Sequence, residues 1–167
     1  MLIPYVELEN GWTITDDQII AVWLQLVDDG TSDIVFYDSK IKDALDFLGW
    51  VKNPDNLMVF LIAENKIMGV AWLNGLAGNQ AFGHFAMFKA AAGKYTLDLG
   101  KEVLDYWFSM PGEDGKLLDI VLGMIPEFNS KALHYIEKLG FKQVGRIPKI
   151  IRREGRKEAA ILSYYEG

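Results

Sequence analysis

The chain of 167 residues contains no cysteine, which excludes a disulfide framework and any metal site built from thiolates. Histidine is almost as scarce, because only His84 and His134 occur and fifty positions separate them. Two imidazoles so far apart argue against a histidine-ligated metal centre. We therefore expect a protein whose chemistry needs no metal.

Long apolar runs are missing as well, and none approaches the roughly 18 residues that cross a bilayer. The opening MLIPYVELENGW carries Glu7 and Glu9 and lacks the basic region that begins a signal peptide. Half of the residues are hydrophobic and 13% are aromatic, which excludes a disordered chain. The sequence predicts one soluble, cytoplasmic domain over 1–167 that has no membrane partner.

Positive charge is scarce at the start of the chain and concentrated near its end. Residues 1–46 hold ten acidic and two basic side chains, whereas residues 142–157 hold seven basic ones against Glu154 alone. Such a basic segment either binds phosphate or an acidic acceptor, or is a solvated hairpin. The net charge of −6 and the lack of interleaved aromatics argue against a dedicated nucleic-acid binder.

Hydrophobic periodicity predicts helices first and then strands. Apolar residues at helical spacing predict a helix over 16–28, capped by Thr15 or Asp16, and a shorter one over 39–48 that ends at Gly49. The period then changes, and buried strands are predicted over 56–65, 67–78 and 80–88, with a hairpin between the first two.

The second half predicts a helix within 89–110, a buried strand over 116–125, a helix over 129–139 and a closing hairpin that turns at Glu154–Gly155. No internal repeat or linker divides the chain. The pattern predicts an α+β fold with a mostly antiparallel central sheet flanked by helices.

The stretch from Asn129 to Phe141, NSKALHYIEKLGF, carries a family resemblance. With Gly145 after it, and with this order of elements, it resembles the GNAT family of acyl-CoA-dependent N-acyltransferases. The similarity is greatest to the ribosomal-protein N-acetyltransferase branch, in which an Asn and a small residue precede a helix ending on Leu-Gly-Phe. Gly140 is expected to turn the chain and Phe141 to start the next strand and pack into the core.

The resemblance covers about residues 56–165, after a more variable helical N-terminus over 1–55. It implies a GNAT-type fold and an N-acetyltransferase that moves an acetyl group from acetyl-CoA to an amine in a ternary complex. The acceptor, a small molecule or a protein amine, is left open, as is the oligomeric state, including a homodimer. The alternative is a GNAT-shaped binding or structural module without catalysis.

The start of the long helix, YTLDLGKEVL, is where the resemblance places the cofactor pyrophosphate, since unpaired N–H groups and the helix dipole attract anions. The family pattern is Arg or Gln, two residues, Gly, one residue, then Gly or Ala. Counted back from Gly100, this chain departs by having Tyr95 and Asp98 at the first two of these positions. A carboxylate about 4 Å from a phosphate would cost on the order of 4 kcal/mol, so Asp98 must point away, cap the helix or weaken the site. The expected cofactor contacts are Tyr95, Thr96, Leu97, Asp98, Leu99, Gly100 and Lys101, with main-chain groups of Met87 and Phe88.

Three further residues are candidates for the site. His84 has a suitable intrinsic pKa for a general base, but strand alternation places it with Phe82 and Ala86, so it is equally a packing residue. Tyr135 is a substitute for the tyrosine acid of many relatives, whose position holds Ile136 here, about 100° away on the helix. Asn129 either caps its helix or reaches the pantetheine chain.

Overall fold

The computed structural model describes residues 1–38, 40–113 and 115–167. Ser39, the first residue of the helix predicted over 39–48, and Asp114 lie outside the described residues. The elements follow in the order β1 (Leu2–Pro4), β2 (Glu7–Leu8), β3 (Gly11–Trp12), α1 (Asp16–Asp28), α2 (Ser32–Val35), α3 (Ala44–Val51), β4 (Leu57–Ala63), β5 (Lys66–Ala77), β6 (Gln80–Met87), a 3-10 turn (Lys89–Ala91), α4 (Thr96–Ser109), β7 (Pro111–Gly112), β8 (Gly115–Lys116), β9 (Ile120–Pro126), α5 (Ser130–Leu139), β10 (Lys142–Arg153) and β11 (Arg156–Glu166).

Seven strands form one central sheet in the order β1-β4-β5-β6-β9-β11-β10. Every neighbouring pair is antiparallel except β6 and β9, which run parallel because α4 carries the chain across between them. The predicted α+β fold with a mostly antiparallel sheet is confirmed.

Helices cover both faces of this sheet, and each face has its own core. On one face, the α1–α3 face, alternate strand residues such as Phe60, Trp72 and Ala86 pack against α1 and α3. On the other, the α4–α5 face, Leu61, Ala81 and their neighbours pack against α4 and α5. Two-sided burial explains why the central strands read as continuous apolar runs rather than as alternating ones.

Several local predictions are confirmed. Helix α1 has the predicted bounds, and Thr15 caps it through a capping box in which its side chain accepts from Gln18 N and its own N–H donates to Gln18 Oε1. Gly140 ends α5 in the left-handed region at φ 101°, and Phe141 is buried beside it. The turn at Glu154–Gly155 is also present, with φ values of 50° and 75°.

Other boundaries were wrong. The helix predicted over 39–48 begins at Ala44, because Asp43 caps it by accepting from Leu45 N and Asp46 N, and it runs through Gly49 to Val51. The strand predicted from 116 begins at Ile120, since Gly115–Lys116 pairs with β7 instead. The N-terminus predicted as helical also supplies β1, which pairs with β4.

Candidate active site

The central sheet opens between β6 and β9. Their pairing covers three registered positions and ends at Phe82↔Leu122. Beyond that point β6 stays paired with β5, and β9 stays paired with β11 as far as Pro126. The two strands therefore leave a gap, the wedge, between the backbone of residues 83–87 and that of residues 123–126.

Main-chain groups of β6 line this wedge. Phe88 N–H donates to the carbonyl oxygen of Met68 in β5 at 2.8 Å. This bond fixes which residues of β6 direct their N–H and C=O groups towards β5 and which direct them away from it. By the two-residue alternation of an antiparallel ladder, the N–H and C=O groups of Gly83, Phe85 and Met87 point into the wedge. Of the two predicted main-chain contacts, Met87 therefore has backbone groups that point into the wedge. Phe88 does not, because its N–H is bonded to β5.

A cleft of about 430 Å³ passes through the wedge and reaches both faces of the sheet. On the α4–α5 face it is lined by α5 residues that include Asn129, Tyr135 and Ile136. On the α1–α3 face it is lined by Trp72 and His84 and by residues 34–38, 40 and 41. A ligand entering from one face can thus meet a second ligand that enters from the other.

His84 lies at the α1–α3 end of the cleft, where its ring stacks on Trp72 with centroids 4.8 Å apart. Its Nε2 lies 3.1 Å from Asn74 Oδ1, an acceptor, so the proton belongs on Nε2 and Nδ1 is left as an acceptor. Burial lowers the pKa of His84 to about 4. The imidazole is therefore neutral at neutral pH, and it is a weaker base than its intrinsic pKa suggested.

Tyr135 connects α5 to the start of α4 instead of presenting a free hydroxyl. Its O–H donates to Thr96 O at 2.9 Å, and its ring meets Phe85 edge to face at 5.6 Å. Burial raises the pKa of Tyr135. A phenol with a raised pKa whose proton is already donated is poorly suited to be the general acid.

Gly100 is buried in the second turn of α4, not at its free end. A Cβ at this position would overlap Tyr135 Oη and lie 2.9 Å from Leu139 Cδ2. The glycine is therefore required for α4 to pack on α5, and matching the family pattern backwards from Gly100 was wrong. The free N–H groups at the start of α4 belong to Thr96, Leu97 and Asp98.

The side chains of Tyr95 and Asp98 point away from the wedge. Tyr95 O–H donates to Glu64 in the β4–β5 turn, and Lys94 Nζ reaches the same carboxylate at 2.8 Å. Together these partners lower the pKa of Glu64. Asp98 is exposed and lines a groove with Glu64 and Glu102 on the side of α4 about 200° from Thr96.

The remaining predicted residues of α4 fall into two groups. Thr96 and Leu97 stand in its first turn, where Thr96 O holds Tyr135. Leu99 is buried and Lys101 is exposed, and both lie beyond the first turn's free N–H groups. Among the described residues, no side chain caps the start of α4.

Asn129 caps its helix and borders the cleft. Its Oδ1 accepts from Ala132 N at 3.2 Å and so caps α5, which confirms the capping role. The residue also lines the cleft, where its Nδ2 is a donor that the cap does not use.

Sequence reasoning missed several residues of the cleft. Gly83 and Gly123 stand inside strands, a signal of close backbone approach that could have revealed the wedge. Trp72 and Asn74 belong to β5 and reach His84 across the sheet. Their spacings of twelve and ten residues from His84 carry no pattern, so only strand register brings them together.

Searches over protein families and curated proteins give no match for this chain. Among the helices of the described residues, none has the length and apolarity needed to cross a membrane.

The fold is nevertheless shared with solved acetyltransferases. The spermidine N-acetyltransferase of Vibrio cholerae, in complex with CoA and spermine, superposes with a TM-score of 0.73 at 15% identity, over 99% of this chain and 95% of that one. The microcin C7 self-immunity acetyltransferase MccE, in complex with acetyl-CoA and AMP, gives 0.72 at 15% identity, over 93% and 91%. A ribosomal-protein-S5-alanine acetyltransferase from Vibrio fischeri gives 0.70 at 12%, over 92% and 90%. The GNAT-type fold that the Leu-Gly-Phe motif implied is confirmed.

Proposed function

We propose that the protein is an acyl-CoA-dependent N-acyltransferase that moves an acetyl group from acetyl-CoA to an amine. The observation that carries this proposal is the wedge, which opens the sheet from one face to the other. Two co-substrates must meet at a reacting carbonyl for direct transfer, and a cleft open on both faces allows that meeting. Two solved proteins of the same fold contain CoA or acetyl-CoA.

On the α4–α5 face, this chain offers the groups that the cofactor needs. The N–H and C=O groups of Gly83, Phe85 and Met87 would bond the amides of pantetheine as a missing strand would. The unbonded N–H groups of Thr96, Leu97 and Asp98 would hold the pyrophosphate. Acetyl-CoA would supply a thioester carbonyl, and we assign to Met87 N–H the stabilisation of negative charge developing on its oxygen.

On the α1–α3 face, we assign the acceptor amine to the end of the cleft that holds His84. With a pKa of about 4, His84 takes a proton poorly from an ordinary ammonium group, so the amine must enter in its neutral form. Once nitrogen has bonded to the carbonyl carbon its N–H is far more acidic, and Nδ1 of His84 can accept that proton. The sulfur leaves as a thiolate, whose pKa near 8.5 makes an acid from Tyr135 unnecessary.

A GNAT-shaped binding module without catalysis is the second candidate. Two observations favour it, namely the low pKa of His84 and the hydroxyl proton of Tyr135 that is committed to Thr96 O. Both candidates need the wedge to bind acyl-CoA, and they differ in turnover.

The first test is thermal stabilisation by acetyl-CoA. Ligand at about 100 times its dissociation constant should add roughly 2.7 kcal/mol to the free energy of unfolding. Gly123→Leu should abolish this gain, because its side chain would enter the cleft on the α4–α5 face, where an added Cβ already lies 3.6 Å from Phe141 Cε1. Gly145→Leu is the matched control, since a Cβ there meets nothing within 4 Å.

The second test is release of free CoA thiol with a panel of amines. The chain has no cysteine, so every thiol that appears in the assay comes from CoA. Stabilisation without thiol release would support the binding module, and the absence of both at millimolar acetyl-CoA would refute the acyltransferase proposal.

A further inference from the structure

The last hairpin extends beyond the central sheet beside the mouth of the cleft. Pairing of β11 with β9 ends at Ala160↔Pro126, while β10 and β11 stay paired with each other as far as Arg153↔Arg156. Residues 148–158 form this projecting segment, the basic arm, which has five basic side chains against two acidic ones.

The basic arm is anchored to the β9–α5 loop, whose residues border the cleft. Arg146, just before the arm, makes a bidentate ion pair with Glu127 at 2.8 and 2.9 Å. Glu127 N–H also donates to Ala159 O at 3.0 Å. These contacts fix the arm next to Pro126 and Asn129, which line the cleft.

Arg153 is the arm residue that faces the cleft mouth. Its guanidinium lies over the ring of Phe128, with Cζ 4.5 Å from the centroid, and Phe128 in turn meets Tyr37, a residue of the cleft lining, edge to face at 6.3 Å. The Arg153 side chain is 31% exposed, and its nearest carboxylate, Glu154, is 3.8 Å away and 77% exposed. Stacking on a ring holds the guanidinium plane in place while leaving its N–H edge free for a planar or tetrahedral anion.

We infer that Arg153 binds an anionic group of the acceptor, so that the acceptor is an amine that also carries a carboxylate or a phosphate. This inference rests on the proposed function. The ring of Phe128 stands between Arg153 and the lining residue Tyr37, so several bonds separate the anionic group from the reacting amine. Among the described residues of the lining, the one carboxylate on this side is Asp38, which is paired with Lys40 at 3.3 Å and does not oppose the assignment.

The experiment compares four amines with the same six-carbon chain: aminohexyl phosphate, aminohexanoate, aminohexanol and diaminohexane. Thiol release is measured at saturating acetyl-CoA. Either anionic probe should have a kcat/KM at least tenfold above that of aminohexanol, and the ratio of phosphate to carboxylate identifies which anion the site prefers. Raising the salt concentration should reduce the advantage of the anionic probes, because the guanidinium is partly exposed.

Arg153→Gln should lower kcat/KM for the preferred anionic probe by tenfold to a hundredfold, mainly through KM, since a hydrogen bond between charged groups is lost. Its effect on aminohexanol should stay within twofold. Arg152→Gln is the matched control, because it removes the same charge from the adjacent, exposed position on the opposite side of β10. It should change no probe by more than about threefold.

Equal losses on all probes in Arg153→Gln would overturn the inference, and so would a preference for diaminohexane in the wild type. The salt dependence of the wild type tests the same point without any variant, should Arg153→Gln fold poorly. If acetyl-CoA neither binds nor releases thiol, the proposed function fails and this inference fails with it. If thiol is released without the expected preference for the anionic probes, only this inference fails.

Discussion

Different kinds of groups border the cleft on the two faces of the central sheet. On the α4–α5 face the backbone of β6 and the glycines Gly83 and Gly123 border the wedge, next to α5 side chains that include Tyr135. On the α1–α3 face it is made of rings, with Phe36 stacked on Trp72 at 5.9 Å and Trp72 stacked on His84 at 4.8 Å.

This difference separates two kinds of recognition. Backbone groups offer the same donors and acceptors whatever the side chains are, which suits a cofactor that never changes. Side-chain rings define a pocket whose shape and charge follow the local sequence, which suits an acceptor that differs between enzymes. We therefore expect changes on the α4–α5 face to act on packing and cofactor affinity, and changes on the α1–α3 face to act on the acceptor and on pH dependence.

The largest effect is expected where α4 packs on α5. Gly100→Ala should destabilise the protein by about 3 kcal/mol, because overpacking outweighs the helix propensity that alanine gains. Gly49→Ala, in α3 with nothing within 4 Å of an added Cβ, should instead stabilise by about 0.5–1 kcal/mol. Denaturant unfolding measures both changes.

A double-mutant cycle with Tyr135→Phe tests the cause. Alone, this substitution removes the bond to Thr96 O and should be destabilising. In the Gly100→Ala background it should be stabilising, because the phenolic oxygen is the atom that the new methyl group meets. Additive effects would show that the two residues do not share this space.

The next effect concerns His84 and pH. Its pKa falls on folding from 6.5 to about 4, so between these values the unfolded chain binds a proton that the folded chain does not. The contribution of His84 to the free energy of unfolding is therefore fully present above pH 6.5 and is lost as the pH falls towards 4. This loss should be roughly 2 kcal/mol after allowance for the partial exposure of the side chain.

Unfolding free energies at intervals from pH 7.5 to pH 4.5 measure this loss before most carboxylates titrate. His84→Phe, which keeps a ring against Trp72, should remove the slope that His84 contributes. His134→Gln removes the exposed histidine instead and serves as the control variant. A slope that persists in His84→Phe and disappears in His134→Gln would contradict the assignment.

Two substitutions of Asn129, at the start of α5, distinguish its effect on stability from its effect on acetyl-CoA affinity. Asn129→Ala should cost about 1 kcal/mol of stability, since it removes the cap on Ala132 N. Asn129→Asp keeps a capping oxygen and should retain stability. It should still weaken acetyl-CoA binding by about tenfold, because the Nδ2 donor of this cleft-lining residue becomes a carboxylate oxygen. Calorimetric titration of the two variants checks this, and equal affinities would restrict Asn129 to the cap.

The smallest effect is expected at Asp98. Its side chain lies with Glu64 and Glu102, on the side of α4 away from α5, so Asp98→Asn should change acetyl-CoA affinity by less than about twofold at low salt. A gain of tenfold or more would place the carboxylate next to the phosphates and would contradict the position found here. Lys101→Gln, one position beyond the buried Gly100, serves as a control for charge on the same helix.

The sequence by itself determined the elements whose signals are local. Thr15 capped α1, Gly140 ended α5 and the Glu154–Gly155 turn closed the last hairpin, because caps and turns depend on residues within a few positions of one another. The same local signal, a helix running into Leu-Gly-Phe, identified the fold.

Only the tertiary structure decided the site. The wedge exists because pairing of β6 with β9 ends at Phe82↔Leu122, a register between strands that stand forty residues apart. Gly100 is needed for Tyr135 to fit, and His84 loses its basicity through burial beside Trp72. Each of these properties depends on which distant residues fill the surrounding space, and no pattern of spacing along the chain encodes that.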